Sequence, residues 1–178
     1  MTQSKFFENI NCWDDYVEAQ KHLNNKEKGN TFELLTKLYF KINPVYNFYD
    51  NVWLLEEVPE TVLEEIGLPR QDLGVDLIAQ VGDQYHAIQC KYHSDKHQAV
   101  TYKEVSTFLS AIGQCDKITM GYICSSANVT SKNYERIKKK PISKILADTW
   151  ENLPDDFFKN IKVSLKRKPI KLEVFKPR

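Results

Sequence analysis

Hydrophobic periodicity divides the chain into helical flanks and a strand-rich middle. Trp13, Tyr16, Val17 and Leu23 share one helical face, and Asn11 with Asp14 three residues on reads as a start signal, so a helix is predicted over 11–23. Phe32, Leu35, Leu38, Tyr39 and Ile42 repeat the pattern in a second helix, expected to begin near Asn30 and to stop at Pro44. Residues 51–55 form a short apolar run of strand type, and 62–66 can make a helical turn before Gly67 and Pro69. Two β-rich runs, 74–81 and 85–92, flank the turn residues Gly82 and Asp83 and predict a hairpin. Thr101 and Glu104 have the spacing of a capping box, and Val105, Phe108, Leu109 and Ile112 supply the face of the helix they open, over 101–114. The run 118–124 is almost continuously apolar, as in a strand buried on both faces. A basic helix over 130–139, a short strand over 142–147 and a helix over 150–161 with a break at Pro154 complete the order. That order predicts an α/β fold with a central mixed sheet between helices.

Composition narrows the class. The 178 residues are 42% hydrophobic and 28% charged, enough for one domain with a real core. No apolar run approaches the roughly 18 residues of a membrane span. The four cysteines are widely spaced and form no CxxC pair, which argues for reduced thiols in a cytoplasm rather than a zinc cluster or disulfide scaffold. The net charge of +1 hides an asymmetry. Residues 1–130 hold 11 Lys/Arg against 18 Asp/Glu, net −7; residues 131–178 hold 14 against 6, net +8. A basic C-terminal third is a footprint for a polyanion, and equally for solvated surface plus linker.

The strongest constellation lies in the hairpin. Side chains alternate along a strand, so Gln89 and Lys91 share one face and Cys90 takes the other, with Asp76 able to sit across from them. A carboxylate, an amide oxygen, a strand carbonyl and an ammonium then converge. Hard oxygen donors of this kind suit Mg²⁺, which keeps several waters and takes one or two carboxylates. The plainer reading is an edge-strand acid paired with a surface lysine. Gly74, two residues before the acid, allows close backbone approach. Glu33, off the apolar stripe of the second helix, is either a second acid at this site or the partner of Asn30 in a capping box.

Taken together, Gly29-Asn30-Thr31-Phe32-Glu33, Gly74-Val75-Asp76 and Gln89-Cys90-Lys91 resemble the PD-(D/E)xK nuclease signature, in the Mrr-like branch with Gln for the second acid. The resemblance continues through 119–127 and 145–153 and covers roughly residues 28–155. It implies a restriction-endonuclease-like fold and Mg²⁺-dependent hydrolysis of DNA phosphodiester bonds, with Mn²⁺ as a possible substitute. Residue by residue, it makes Asp76 the main metal ligand, Gln89 and the Cys90 carbonyl further ligands, Lys91 the catalytic lysine and Glu33 an accessory acid. The tail 170–178 resembles the lead-in to a helicase or translocase domain. The expected division is therefore a nuclease domain over 1–162, with its N-terminal helix at 11–24, and a basic linker over 163–178. The partners implied are double-stranded DNA and covalently linked translocase and methyltransferase parts, as in single-chain Type ISP restriction–modification enzymes. ATP would enter only through such a motor. A nuclease-like module that only binds, a nuclease on a phage or mobile-element helicase, and RNA or junction cleavage stay open as alternatives.

Further candidates for DNA contact are Lys138, Lys139 and Lys140, which suit phosphates without reading bases. Ser125 and Ser126 could donate to a phosphate. His93 and His97, four apart, fit a surface loop better than a metal pair, with DNA contact as an added role for His93.

Overall fold

The structure, a computed structural model, describes residues 3–71, 73–131 and 139–167. Its centre is one five-stranded sheet in the order β1 (Asn51–Leu54), β2 (Leu77–Val81), β3 (Gln84–Lys91), β4 (Ile118–Ser125), β5 (Ile142–Ile145). β1, β2 and β3 pair antiparallel, whereas β3, β4 and β5 run parallel, so the sheet is mixed as the element order predicts. The hairpin register sets Leu77 opposite Ile88, and the parallel register sets Lys91 opposite Ser125.

Strand alternation sorts the apolar residues between two faces. Leu77, Ala79, Ile88, Tyr122 and Cys124 face one core, covered by α1 (Gln3–Phe7), α2 (Trp13–Gln20), α3 (Asn25–Ile42), α6 (Ala147–Glu151) and α7 (Phe157–Lys166). Ile78, Tyr85, Ala87, Ile118 and Ile123 face the other, under α4 (Glu60–Ile66) and α5 (Tyr102–Gly113). On α5, Val105, Phe108 and Ile112 are buried, each contributing roughly 1.5–3 kcal/mol by leaving water. The first core is rich in rings. Trp150 is fully buried, and its ring centroid lies 5.1 Å from that of Tyr39, 5.4 Å from Phe32 and 5.9 Å from Trp13.

Several boundaries differ from the sequence pattern for local reasons. Helix α3 begins at Asn25, not near Asn30, because Asn24 and Glu27 form its capping box. Asn30 and Glu33 therefore lie inside the helix, and the capping role considered for Glu33 is excluded. Cys12 rather than Asn11 precedes α2, and the Asn11 amide donates to Asp15. Helix α6 opens at Ala147, where the expected strand was still running. Helix α7 continues to Lys166, into the segment read as linker from 163 onward. The expected basic helix over 130–139 falls largely on 132–138, outside the described residues.

Ser125 and Ser126 need correction. Both are buried framework residues rather than phosphate donors at the surface. The Ser125 hydroxyl donates to the Lys91 carbonyl at 2.6 Å and accepts from the Ala127 amide at 3.0 Å. The Ser126 hydroxyl accepts from the His93 amide and donates to the His93 carbonyl. The Trp150 indole then donates to the Ser125 carbonyl at 3.0 Å. The ends of β3 and β4 are thus tied together by side chains where the ladder stops.

Two stability predictions follow from that tie. Ser125→Ala should cost about 1–3 kcal/mol in denaturant unfolding, since it removes one partner each from two buried backbone groups. Trp150→Ala should cost about 3–5 kcal/mol from the ring-sized void. Trp150→Phe should cost less but lose the Ser125 bond.

Candidate active site

The chain reaches Asp76 just before β2 begins, and the backbone there is held on both sides. The Asp76 amide donates to the Ile88 carbonyl at 2.9 Å, and its carbonyl accepts from the Leu55 amide at 2.9 Å. The carboxylate turns toward β3, where Oδ2 accepts from the Cys90 amide at 2.7 Å. Gly74 supplies the bend into this position with φ of +77°. A Cβ at Gly74 would stand 2.9 Å from Gln89 Nε2 and 3.0 Å from Phe108 Cβ, so a bare glycine is required both by backbone and by space.

Gln89 is only 2% exposed. Its amide nitrogen donates to the Glu104 carbonyl at 3.2 Å, which leaves Oε1 buried and without a hydrogen-bond partner. An orphaned buried acceptor is costly, about 1–3 kcal/mol, unless something binds it. Lys91 ends β3, with its carbonyl held by the Ser125 hydroxyl.

Asp76, Gln89, Cys90, Lys91, Gly74 and Glu33 line one cleft of about 350 Å³. It is not the largest hollow; one of about 560 Å³ lies between α1 and α2. Its chemistry sets it apart: two carboxylates, a glutamine with an orphaned amide oxygen and two lysines line one place. The charge is felt by the neighbouring sulfur atoms. Burial pushes the Cys90 thiol well above its ordinary range, and Asp76 and Glu33 raise it further. The Cys124 thiol is raised by burial and then by Asp76. Both cysteines are thus protonated fillers, and any ligand role of Cys90 falls to its carbonyl. Among the described residues no three His, Cys, Asp or Glu side chains form a metal cage. The donors in this cleft are a smaller set of hard oxygens, which fits a divalent cation that retains much of its water.

The residues expected to contact DNA are dispersed. His93 is turned inward, its Nε2 2.9 Å from Glu104 Oε1 and its side chain 8% exposed, so it braces the loop after β3 rather than meeting a ligand. The Lys140 ammonium donates to the Cys115 carbonyl just beyond the C-terminal end of α5, and burial lowers its pKa. Lys139 is exposed and passes Gly113 at the same end. Glu104, beside Gln89, lies in the first turn of α5, nine residues before Gly113, so these lysines stand about 14 Å away along α5 at 1.5 Å per residue. Lys138 lies outside the described residues. The sequence reading gives no site role to Asn25 or Lys28, and quotes Gly29 only as the first residue of a motif, yet all three line the cleft from α3. The Asn24–Glu27 spacing was the signal that places them there. It also treated Glu104 only as a capping residue, whereas its carbonyl orients Gln89 and its carboxylate holds His93.

Comparison with known proteins places the fold among restriction endonucleases. The Mrr_cat_2 restriction endonuclease model matches residues 41–166, which include Asp76, Gln89 and Lys91 but not α3 before Lys41. The DNA-bound ATP-dependent Type ISP restriction-modification enzyme LlaBIII superposes with a TM-score of 0.60 and 28% identity. The match covers 79% of this chain and 8% of that one, so this chain spans a small part of that enzyme's length. Two more distant structures share the fold at 14% identity and a TM-score of 0.53 each. They are the modification-dependent restriction endonuclease AspBHI, with 93% of this chain and 42% of that one covered, and MspJI in complex with a 27-mer oligonucleotide, with 88% and 35% covered. No curated protein matches. With the family model covering well over half of its length, the chain belongs to the Mrr_cat_2 restriction endonuclease family.

Proposed function

We propose that this chain is a Mg²⁺-dependent endodeoxyribonuclease module that cuts duplex DNA without reading its sequence, as part of a larger ATP-driven restriction–modification enzyme. The observation that carries the reading is the cleft itself: the Asp76 carboxylate, the orphaned Gln89 Oε1, Glu33 and Lys91 meet at one end of the hairpin. Similarity to the DNA-bound Type ISP enzyme supports the larger setting. That setting brings linked translocase and methyltransferase parts, ATP acting through the motor, and a cytoplasmic location. No helix among the described residues is long and apolar enough to cross a membrane.

In this reading Asp76, Gln89 Oε1, the Cys90 carbonyl and, across the cleft, Glu33 hold the cation, with Mn²⁺ as a substitute. When bound, Mg²⁺ polarises the scissile phosphate and lowers the pKa of an attacking water. The protein's own contribution is placement. The Cys90 amide fixes the rotamer of Asp76, whose residue lines the cleft. Glu104 accepts from the amide nitrogen of Gln89, which leaves its oxygen without a protein donor and able to take a cation. Lys91 sets a positive charge beside the phosphoryl group as negative charge builds on it, and orients the water that attacks. Tyr92 and Ser94 continue the wall of the cleft past Lys91.

Asp76→Asn is the sharpest test. An asparagine oxygen can still accept from the Cys90 amide, so the melting temperature should stay close to wild type, while the charge that holds the cation is gone. Plasmid nicking in Mg²⁺ should fall at least about 100-fold, on the scale of removing one preorganised electrostatic group. Asp76→Ala should lose cleavage equally and also lose stability, since it strands the Cys90 amide. Lys91→Ala should be as defective as Asp76→Asn, and EDTA should stop wild-type cleavage. Wild-type nicking by Asp76→Asn would place the nuclease site elsewhere.

A further inference from the structure

Helix α3 contributes more than Glu33 to the cleft. Asn25, Gly29 and Glu33 are spaced by four and share one face of the helix, with Lys28 beside them, and all four line the cleft. Gly29 is the anomaly. It sits inside an 18-residue helix, where glycine is unfavourable relative to alanine, yet a Cβ built there would meet nothing within 4 Å. No tight packing and no unusual backbone angle account for it. Gly29 lines the same hollow as Gln89, whose buried Oε1 has no hydrogen-bond partner. Lys28 enters no salt bridge among the described residues. The helix is also held firmly from behind. Gln20 Nε2 donates to the Lys28 carbonyl at 3.2 Å and to the Tyr16 hydroxyl at 2.6 Å, so α2 fixes the turn of α3 that faces the cleft.

We propose that the Asn25–Lys28–Gly29 turn of α3 is a seat for the sugar–phosphate backbone of the strand being cut, adjacent to the metal-binding residues. Gly29 is bare so that the strand can approach the helix closely. The Lys28 ammonium pairs with a phosphate next to the scissile one, and the Asn25 amide donates to the same stretch. The role is positioning, and it rests on the nuclease reading above.

The test uses the whole chain with a fluorescent duplex. Binding is read in the Asp76→Asn background, so that it does not depend on turnover, and cleavage is read with Asp76 intact. Gly29→Ala should raise the melting temperature by about 2–4 °C, the usual gain for glycine to alanine in a helix of a domain this size. Gly29→Leu, which also favours the helix, should melt no lower than wild type but weaken duplex binding at least tenfold and slow cleavage in step. Lys28→Gln should flatten the log–log salt dependence of binding by about 0.9, the share of one phosphate contact. Lys26→Gln, on an exposed position outside the cleft, should change neither. Wild-type binding and cleavage by Gly29→Leu would overturn the proposal, and so would a melting temperature well below wild type, which would show that Gly29 packs for structural reasons. Both outcomes are separable from failure of the nuclease reading, which would appear as cleavage by Asp76→Asn.

Discussion

A single hydrogen bond, from the Cys90 amide to the Asp76 carboxylate, sets the frame for everything at the functional end of the sheet. The regular β2–β3 ladder begins at Leu77. Past one further backbone bond, from the Asp76 amide to the Ile88 carbonyl, a side chain supplies the next rung, so the strand pairing and the orientation of the acid are the same event. An ionised acceptor makes that bond shorter and stronger than a neutral one. Because β3 also pairs parallel with β4, its end is fixed on its other edge by the hydroxyl of Ser125. Gln89 is fixed from α5 and Glu33 is presented by α3, on opposite faces of the sheet. The cleft is therefore the place where two cores and three strands stop together, and backbone groups of Cys90 and Glu104 help to aim its acid and its amide.

The parts of this arrangement that were legible in the sequence are those with strong local signals. Period-two alternation on either side of Gly82 placed the hairpin, and with it Asp76 against Gln89–Lys91. The Thr101–Glu104 spacing placed the start of α5. What was not legible depended on competition between signals. Asn24–Glu27 and Asn30–Glu33 have the same spacing, and only packing decides which one caps the helix; choosing the second hid an entire turn of α3 and three residues of the cleft. Ser125 and Ser126 looked like surface donors because a hydroxyl gives no sign, in sequence, of whether it faces water or a strand end. Lys140 looked like free charge because its acceptor, the Cys115 carbonyl, lies 25 residues away. In each case the missing information was a tertiary partner, not a local preference.

The division of labour between the two faces explains the reach of the family match. Residues 41–166 contain every strand and the helices from α4 onward, so the acid, the glutamine and the lysine fall inside it. Helix α3 before Lys41, and α1 and α2, fall outside, although α3 closes the cleft and α2 supports it. Trp13 and Phe32 nonetheless stack around Trp150, so the N-terminal helices share one core with the C-terminal ones.

The sulfur atoms behind the cleft have a chemical consequence. Cys90 and Cys124 are register partners on β3 and β4, and their thiols are held protonated by burial and by the nearby acid. Thiolate is the species that peroxide and alkylating reagents attack, so the acid that would gather a cation also shields the sulfur atoms beside it. Cys12, exposed ahead of α2, has no such shelter. Covalent labelling of the native protein is therefore steered to Cys12, far along the chain from the strand ends, and a single reporter dye can be attached there without editing the interior.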